Sequence, residues 1–308
     1  MLGRWGAGKL RRKRAPPSCF LASWRSSFLA LVGLGPPYIG GMMKIHHLRS
    51  ATFVIESGEH FILVDPMLSD KGALPPFARL RHKSARNPLV SLPENASEIL
   101  DKVTLCLITH SQKFGIELLT HTDHLDNPGK SFLRKNSIPV VCLQRDAAYM
   151  NKNRIEVETT LTYWQPSNLL GGQITAVPAL HGHGWVHSLM ANGAGLFLQL
   201  PGEPSIYISG DTVFTDDVKR ALTEFEPDVA VVAAGSAGLD VGGPILMPLN
   251  EIVTFIQTAP HQVIANHLEA LNHCPTTRSQ LKQELETRDL LSKTFIPDDG
   301  ETLTIATH

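Results

Sequence analysis

The feature that most constrains the fold is that several short apolar runs are each followed by a side chain of a type that binds metal ions. These side chains and the runs they follow are His110 after 104–109, His181 after 173–180, Asp211 after 205–209 and His267 after 262–266. Apolar runs of this length, bounded by turn residues, are typical of buried strands. Open sheets present their functional loops where strands end. The sequence therefore predicts that these side chains line a site.

A second concentration of ligand types lies in the segment Thr120–Asp126, which contains His121-Thr122-Asp123-His124. Two histidines and a carboxylate within four residues, ahead of a predicted helix, can direct their side chains to one point. Neutral imidazoles and carboxylates are ligands of zinc and similar divalent ions. Alone, this pattern also fits a solvated loop; together with the strand-end residues it favours a metal site.

In chain order, the pattern His, then His-x-Asp-His, then His, then Gly-Asp-Thr, then His resembles the metallo-β-lactamase-fold hydrolase superfamily. It is most similar to the branch that includes the ascorbate-6-phosphate lactonases. The segments up to Asp65-Pro66 and from Asn266 to His273 add to the likeness, which extends over about residues 43–308. The resemblance implies an α/β fold, a four-layer αββα sandwich of two mixed β-sheets flanked by helices.

The same resemblance implies a ligand set for two divalent ions, zinc first, with manganese or iron as alternatives. In that set His110, His121 and His181 hold one ion, Asp123, His124 and His267 hold the other, and Asp211 bridges them. Asp123 and Asp211 are in addition the catalytic candidates, because an ionised carboxylate beside the ions can accept or relay a proton.

One position departs from the superfamily pattern His-x-His-x-Asp-His, because Leu119 stands where the first histidine is expected. The nearest upstream histidine is His110, eleven positions before His121 instead of two, so nine residues (111–119) look inserted. Loop-closure entropy grows slowly with loop length. The α-carbons of residues two apart lie about 6–7 Å from each other, a gap that a longer loop also spans. We therefore predict that His110 still ligates.

Several nearby residues have two readings each. His183 and Trp185 in a glycine-spaced loop, and Glu269 and His273 after His267, are candidates for a substrate pocket or for structural hydrogen bonds. Asp65 can hold the second ring nitrogen of a ligating histidine or form an Asp-Pro turn. A basic loop can meet an anionic substrate group or remain a solvated surface. Its members are Arg79, Arg81, His82, Lys83 and Arg86.

The remaining pattern alternates strands with helices, as expected when helices pack on sheets. Strands are predicted at 44–48, 51–55, 60–64, 104–109, 138–143, 173–180, 195–200, 205–209, 228–234, 262–266 and 302–305. Helices are predicted at 95–103, 130–135, 146–150, 215–224, 248–259 and 276–289.

Composition sets the general class. The chain has 308 residues, 43% hydrophobic and 19% charged, as in an ordinary globular protein. A net charge of −1 argues against a nucleic-acid partner and favours a small-molecule substrate; self-association stays open. Four cysteines without Cys-x-x-Cys spacing suit a reducing cytoplasm.

Residues 1–42 form a basic leader with no acidic residue before Glu56. Its apolar run 28–34 is shorter than the about 20 residues that span a membrane, so no stable membrane insertion is expected. A secretory signal, a transit peptide and a true start at Met42 or Met43 are the alternatives. We predict that the leader is disordered or outside the fold, and that the hydrolase domain covers residues 43–308.

These observations predict a metal-dependent hydrolase in which a metal-activated hydroxide attacks a small ester, lactone or phosphate-containing metabolite. One alternative is a phosphodiesterase or nuclease of the same fold. Another is a non-catalytic binding protein whose first metal site is disrupted by the insertion at 111–119, and a third is an enzyme with one ion.

Overall fold

The computed structural model describes residues 41–112, 121–188 and 190–306, all within the compact unit Ile39–His308. Most of the predicted leader and most of the predicted insertion therefore lie outside the described residues, and both stay predictions. The first strand begins at Met42, one residue before the predicted start of the domain.

The described strands are β1 (Met42–Arg49), β2 (Thr52–Ser57), β3 (His60–Val64), β4 (Leu105–Leu107), β5 (Val140–Leu143), β6 (Val157–Leu161), β7 (Pro166–Leu169), β8 (Gly172–Pro178), β9 (Ala194–Gln199), β10 (Ile206–Ile208), β11 (Val229–Ala233), β12 (Gln262–Asn266), β13 (Thr294–Phe295) and β14 (Thr302–Ala306). The helices are α1 (Ala96–Leu100), α2 (Asn127–Lys135), α3 (Ala147–Lys152), α4 (Asp216–Glu224), α5 (Leu249–Thr258) and α6 (Arg278–Glu286).

The strands form two seven-stranded sheets, ordered β14-β1-β2-β3-β4-β5-β6 and β13-β12-β11-β10-β9-β8-β7. Each sheet is mixed: β1 to β3 pair antiparallel and β3 to β6 parallel, while β7 to β10 pair antiparallel and β10 to β13 parallel. The parallel strands bring several strand ends to the same edge of each sheet.

Period-two alternation builds the layers. Phe53 and Ile55 of β2 enter a core between the sheets, whereas Val54 faces the core with α1, α2 and α3. In the second sheet, Ile206 belongs to the inter-sheet core and Tyr207 to the core with α4, α5 and α6. Successive strand residues point to opposite faces, so each sheet buries both faces. The predicted αββα sandwich of two mixed sheets is confirmed.

The ends of helices follow local hydrogen bonding. Asp126 caps α2 by accepting from the Gly129 amide at 2.7 Å, and Pro128 occupies the first turn. The prediction that this helix begins at Lys130 was wrong, because Pro-Gly was read as a turn although Pro suits a first helical turn. Thr215 caps α4 as predicted.

Three strands, β6, β7 and β13, were not predicted, and β13 has only two residues. In β6 and β7 burial alternates with exposure, and β7 contains only one buried residue, Leu169. Edge strands of this kind lack the continuous apolar run that identifies buried strands. Within the described part of the chain, no helix is long and apolar enough to cross a membrane.

Candidate metal centre

Three histidines from separate segments meet at one edge of the sandwich. His110 follows β4 and His181 follows β8, and both are buried, whereas His121 precedes α2 and is partly exposed. Their ring nitrogens lie within 4.8 Å of one another. The amide of His121 donates to the carbonyl of Ser111 at 3.0 Å, so the chain returns beside His110 after the segment 112–120. The structure thus brings His110 to the other two histidines.

A second cluster lies next to the first. One ligand atom from each of Asp123, His124, Asp211 and His267 falls within a common 4.8 Å. Asp211 follows β10 and His267 follows β12, the strands on either side of β11. All four residues are buried.

Asp211 lies between the two clusters. Its Oδ2 is 3.1 Å from Nε2 of His124 and 3.6 Å from Nε2 of His181, while its Oδ1 is 3.7 Å from Nε2 of His267. One carboxylate therefore reaches a histidine of the first cluster and two of the second. This is the arrangement that a bridging carboxylate requires.

Asp65, at the end of β3, orients two of the histidines. Its Oδ2 accepts from Nδ1 of His124 at 2.8 Å and from the Thr109 hydroxyl at 2.6 Å, and its Oδ1 accepts from the Thr109 amide at 2.9 Å. Because the Thr109 proton is committed to Asp65, its oxygen accepts from Nδ1 of His110 at 3.1 Å. A histidine that donates from Nδ1 keeps its lone pair on Nε2. Of the two readings of Asp65, the supporting role is the one seen here.

The remaining histidines have comparable partners. Nδ1 of His181 donates to the carbonyl of Ile245 at 2.8 Å, and Nδ1 of His267 lies 3.5 Å from Sγ of Cys274. Ile245 and Cys274 were not identified from the sequence. A main-chain carbonyl leaves no residue-type signal, and a cysteine in an apolar setting reads as a core residue.

Three atoms that face the centre can accept hydrogen bonds, but no described group donates one to them. Nε2 of His110, Nε2 of His267 and Oδ1 of Asp211 are buried and have no hydrogen-bond partner within the described ranges. Buried polar atoms are nearly always satisfied, and an unsatisfied one is destabilising. A cation would satisfy these lone pairs together, so the residues present fit divalent metal ions.

The electrostatics agree with this fit. Burial and the neighbouring histidines hold the pKa of His110 well below its usual range, and burial followed by the nearby His181 lowers the pKa of His121 to about 3. Burial alone would raise the pKa of Asp211, but His124 and His267 hold it well below its ordinary value. At neutral pH the first cluster is therefore uncharged imidazole beside an ionised carboxylate, the forms that bind metal.

His124 differs from the other histidines. Burial would lower its pKa, yet the carboxylates of Asp211, Asp65 and Asp123 together raise it well above its usual value. The second cluster is thus the acidic half of the centre. It offers more negative charge to a cation than the all-histidine cluster does.

The residues predicted to line a pocket have separate environments. His183 contacts Glu251 at 2.5 Å, and Glu269 pairs with Arg278 at 2.7 Å, so both are bound outside the two clusters. Trp185 is 60% exposed, whereas His273 is 4% exposed and has its ring against Phe77. Burial lowers the pKa of His273 to about 4, and Asp123 and His267 are close enough to influence it.

The basic loop is tied to its own surroundings. The amides of Arg79, Leu80 and Arg81 donate to the carboxylate of Asp240. The guanidinium of Arg81 donates to the Gly242 carbonyl at 2.8 Å, and Arg86 binds two carbonyls of its own loop. Two of the three arginines thus have structural partners.

Asp65→Asn is expected to weaken metal binding about 10- to 100-fold while leaving the fold intact. All three groups that contact this carboxylate are donors, so the NH2 group of an asparagine would face a donor in either orientation. Competition with a chromophoric chelator measures the affinity. Asp101→Asn, an exposed residue at the end of α1, is the matched control. An unchanged affinity in Asp65→Asn would show that this carboxylate does not orient the ligands.

The chain is similar to known proteins over most of its length. A family model described as a beta-lactamase superfamily domain matches residues 60–267. A curated relative, UPF0173 protein YddR of Bacillus subtilis, is 32% identical over 265 residues, which cover 85% of this chain and 100% of that protein. UPF0173 metal-dependent hydrolase PH1671 of Pyrococcus horikoshii is 28% identical over 228 residues, covering 73% of this chain and 84% of that protein.

A solved structure has the same fold. An isothiocyanate hydrolase from Delia radicum gut bacteria superposes with a TM-score of 0.76 and 28% sequence identity. The match covers 86% of this chain and 100% of that structure.

Proposed function

The chain belongs to the β-lactamase superfamily and is a metal-dependent hydrolase, and on this premise we propose that it hydrolyses a small ester, lactone or phosphate-containing metabolite with two divalent ions. The observation that carries the proposal is the position of Asp211 between two clusters of buried, unsatisfied lone pairs. A protein that had kept the fold but lost metal binding would not need to bring seven metal-ligating side chains together.

In this proposal His110, His121 and His181 hold one ion, and Asp123, His124 and His267 hold the other, with Asp211 shared. Imidazole-rich sites suit zinc, and manganese or iron is the alternative for the carboxylate-containing half. When bound, the ions supply a nucleophile at neutral pH by lowering the pKa of water, and they polarise the bond under attack.

The protein side chains supply the proton transfers. Asp123 is buried, and although burial would raise its pKa, His124 and His121 hold it below its ordinary value. An ionised Asp123 can accept a proton from the attacking water and return it to the leaving group, with Asp211 as the second candidate. His273 is neutral at pH 7 and can hydrogen-bond to a substrate oxygen.

A second candidate function is isothiocyanate hydrolysis. The support is the likeness to the isothiocyanate hydrolase over its full length, at an identity above that of a shared fold alone. An isothiocyanate is an uncharged electrophile whose central carbon adds water, after which the C–N bond breaks to give an amine and carbonyl sulfide. The same centre would serve this reaction.

The proposal includes a cytoplasmic location and a small-molecule substrate. Cys106, Cys142 and Cys274 are free and buried, which supports a reducing cytoplasm. The net charge of −1 supports a small-molecule substrate over nucleic acid.

The proposal is tested with the full chain loaded with zinc or manganese. The substrates are 4-nitrophenyl acetate, a γ-lactone, bis(4-nitrophenyl) phosphate and benzyl isothiocyanate, and Asp211→Asn gives the background. We expect metal-dependent turnover of the ester or lactone that is absent from the variant. Turnover confined to benzyl isothiocyanate would favour the second candidate, and turnover of none would contradict both.

A further inference from the structure

A cavity of about 690 Å³ lies against chain segments that carry the all-histidine cluster. Two of its lining residues, Asn192 and Gln112, are tied to segments that carry candidate ligands. Oδ1 of Asn192 accepts from the amide of His181 at 3.0 Å, and Gln112 follows Ser111, whose carbonyl accepts from the His121 amide. A molecule in this cavity therefore lies beside the first cluster.

A buried cation lies behind one residue of the cavity wall. Lys130 of α2 is only 5% exposed, and its ammonium lies 3.1 Å from the hydroxyl oxygen of Tyr149, a lining residue. An ammonium group can only donate, so Tyr149 accepts here. The phenolic proton must then point away from Lys130, which makes Tyr149 a donor toward other groups.

Further positive charge comes from Arg145 and Lys152, which also line the cavity. Asp146 is a neighbouring carboxylate that is buried, accepts from the Ser111 hydroxyl at 2.7 Å and lies 3.7 Å from Nε of Arg145. Burial raises the pKa of Asp146, against the opposing effects of the hydrogen bond from Ser111 and the charge of Arg145. Two cations, Arg145 and Lys152, thus line the space, and a third, Lys130, lies behind Tyr149.

The uncharged polar lining can also donate hydrogen bonds. Oδ1 of Asn192 accepts from the His181 amide. The other end of the Asn192 side chain is its amide nitrogen, which is a donor. Nδ1 of His187, another lining residue, is buried and has no hydrogen-bond partner in the described part of the chain. Donors and cations around one cavity match the oxygens of a phosphate or carboxylate.

We propose that this space, the Arg145–Lys152 pocket, binds an anionic phosphate or carboxylate group of the substrate while the scissile bond lies at the metal centre. The inference rests on the proposed function, since it assigns a substrate class to the same site. It places substrate charge recognition on the segment 145–152 and not on the basic loop 79–86.

The test uses the zinc-loaded full chain and two esters with one leaving group, uncharged 4-nitrophenyl acetate and anionic 4-nitrophenyl hydrogen succinate. The variants are the double exchange Arg145→Gln/Lys152→Gln and the single exchange Tyr149→Phe, which removes only the hydroxyl. Lys135→Gln, at the exposed end of α2, is the matched control. We expect the succinate-to-acetate ratio of kcat/KM to fall about tenfold in the double variant. The ratio should fall in the same direction in Tyr149→Phe and stay unchanged in the control. Equal losses for both esters, or no loss, would overturn the pocket.

A binding measurement separates this inference from the proposed function. Calorimetric titration with inorganic phosphate and with succinate should show weaker binding in the double variant and retained binding in Asp211→Asn, and the tighter anion identifies the group. Binding lost only in Asp211→Asn would place the anion at the metal centre and overturn the pocket, as would no binding of either anion. Should the wild type hydrolyse neither ester while the double variant still weakens anion binding, the proposed reaction fails and the pocket stands.

Discussion

Replacing Asp211 with asparagine is expected to lower kcat/KM about 1000-fold for any substrate that the metal-loaded protein hydrolyses. The carboxylate contacts His124, His181 and His267 across both clusters, so its charge serves both ions. Metal ions contribute several kcal/mol of transition-state stabilisation, and about 4 kcal/mol corresponds to about 1000-fold in rate. Steady-state kinetics at fixed metal concentration measures the loss.

The matched control for this change is Asp216→Asn, which alters an aspartate in the exposed first turn of α4, five residues along the chain. Its kcat/KM should remain that of the parent. If Asp211→Asn retained activity within about tenfold of the parent, the shared-carboxylate role would be wrong.

The largest expected stability loss is in Arg49→Met. Arg49 is fully buried and donates to the carbonyls of Val90, Met67 and Ser69, which holds the long loop after β3. Burial lowers its pKa to about 10, so it remains charged at neutral pH. Methionine keeps the apolar stem but leaves buried carbonyls unsatisfied, so we expect the free energy of unfolding to fall by about 3–5 kcal/mol.

Urea unfolding measures this change. Arg86→Met is the control, because its exposed guanidinium donates to two carbonyls of the same loop, and it should lose about 1 kcal/mol. Equal losses of unfolding free energy in the two variants would show that the burial of Arg49 does not cause the larger destabilisation. The neighbouring Ser50 carbonyl accepts from the His267 amide at 2.9 Å, so Arg49→Met should also weaken metal binding.

The layers of the fold and the candidate ligands could be predicted because both depend on short-range pattern. Alternation in β2 and β10 identifies strands, and His181, Asp211 and His267 each follow a strand or its extension. What supports those ligands could not be predicted in the same way. The carbonyl of Ile245 has no residue-type signal, and an arginine at a strand end, such as Arg49, is ordinarily read as exposed.

Leu119 stands where the superfamily pattern has its first histidine, and the sequence alone could not show which residue replaces that ligand. From the spacing alone, metal ligation by His110 could be argued only from the slow growth of loop-closure entropy with loop length. In the structure, the carbonyl of Ser111 and the amide of His121 close the loop at 3.0 Å, and the rings of His110 and His121 lie 4.4 Å apart. The pocket beside them was not foreseen, since Lys130 and Tyr149 are far apart in a sequence pattern that reads as two surface helices.

Metal content per chain tests the central claim most directly, by elemental analysis of the purified full chain alongside His110→Ala. Because two clusters of ligand side chains share Asp211, we predict two ions in the parent and one in the variant, the all-histidine cluster losing its ion. One ion in both proteins would contradict the two-ion centre, and none in either under metal-replete conditions would contradict metal binding at these residues altogether.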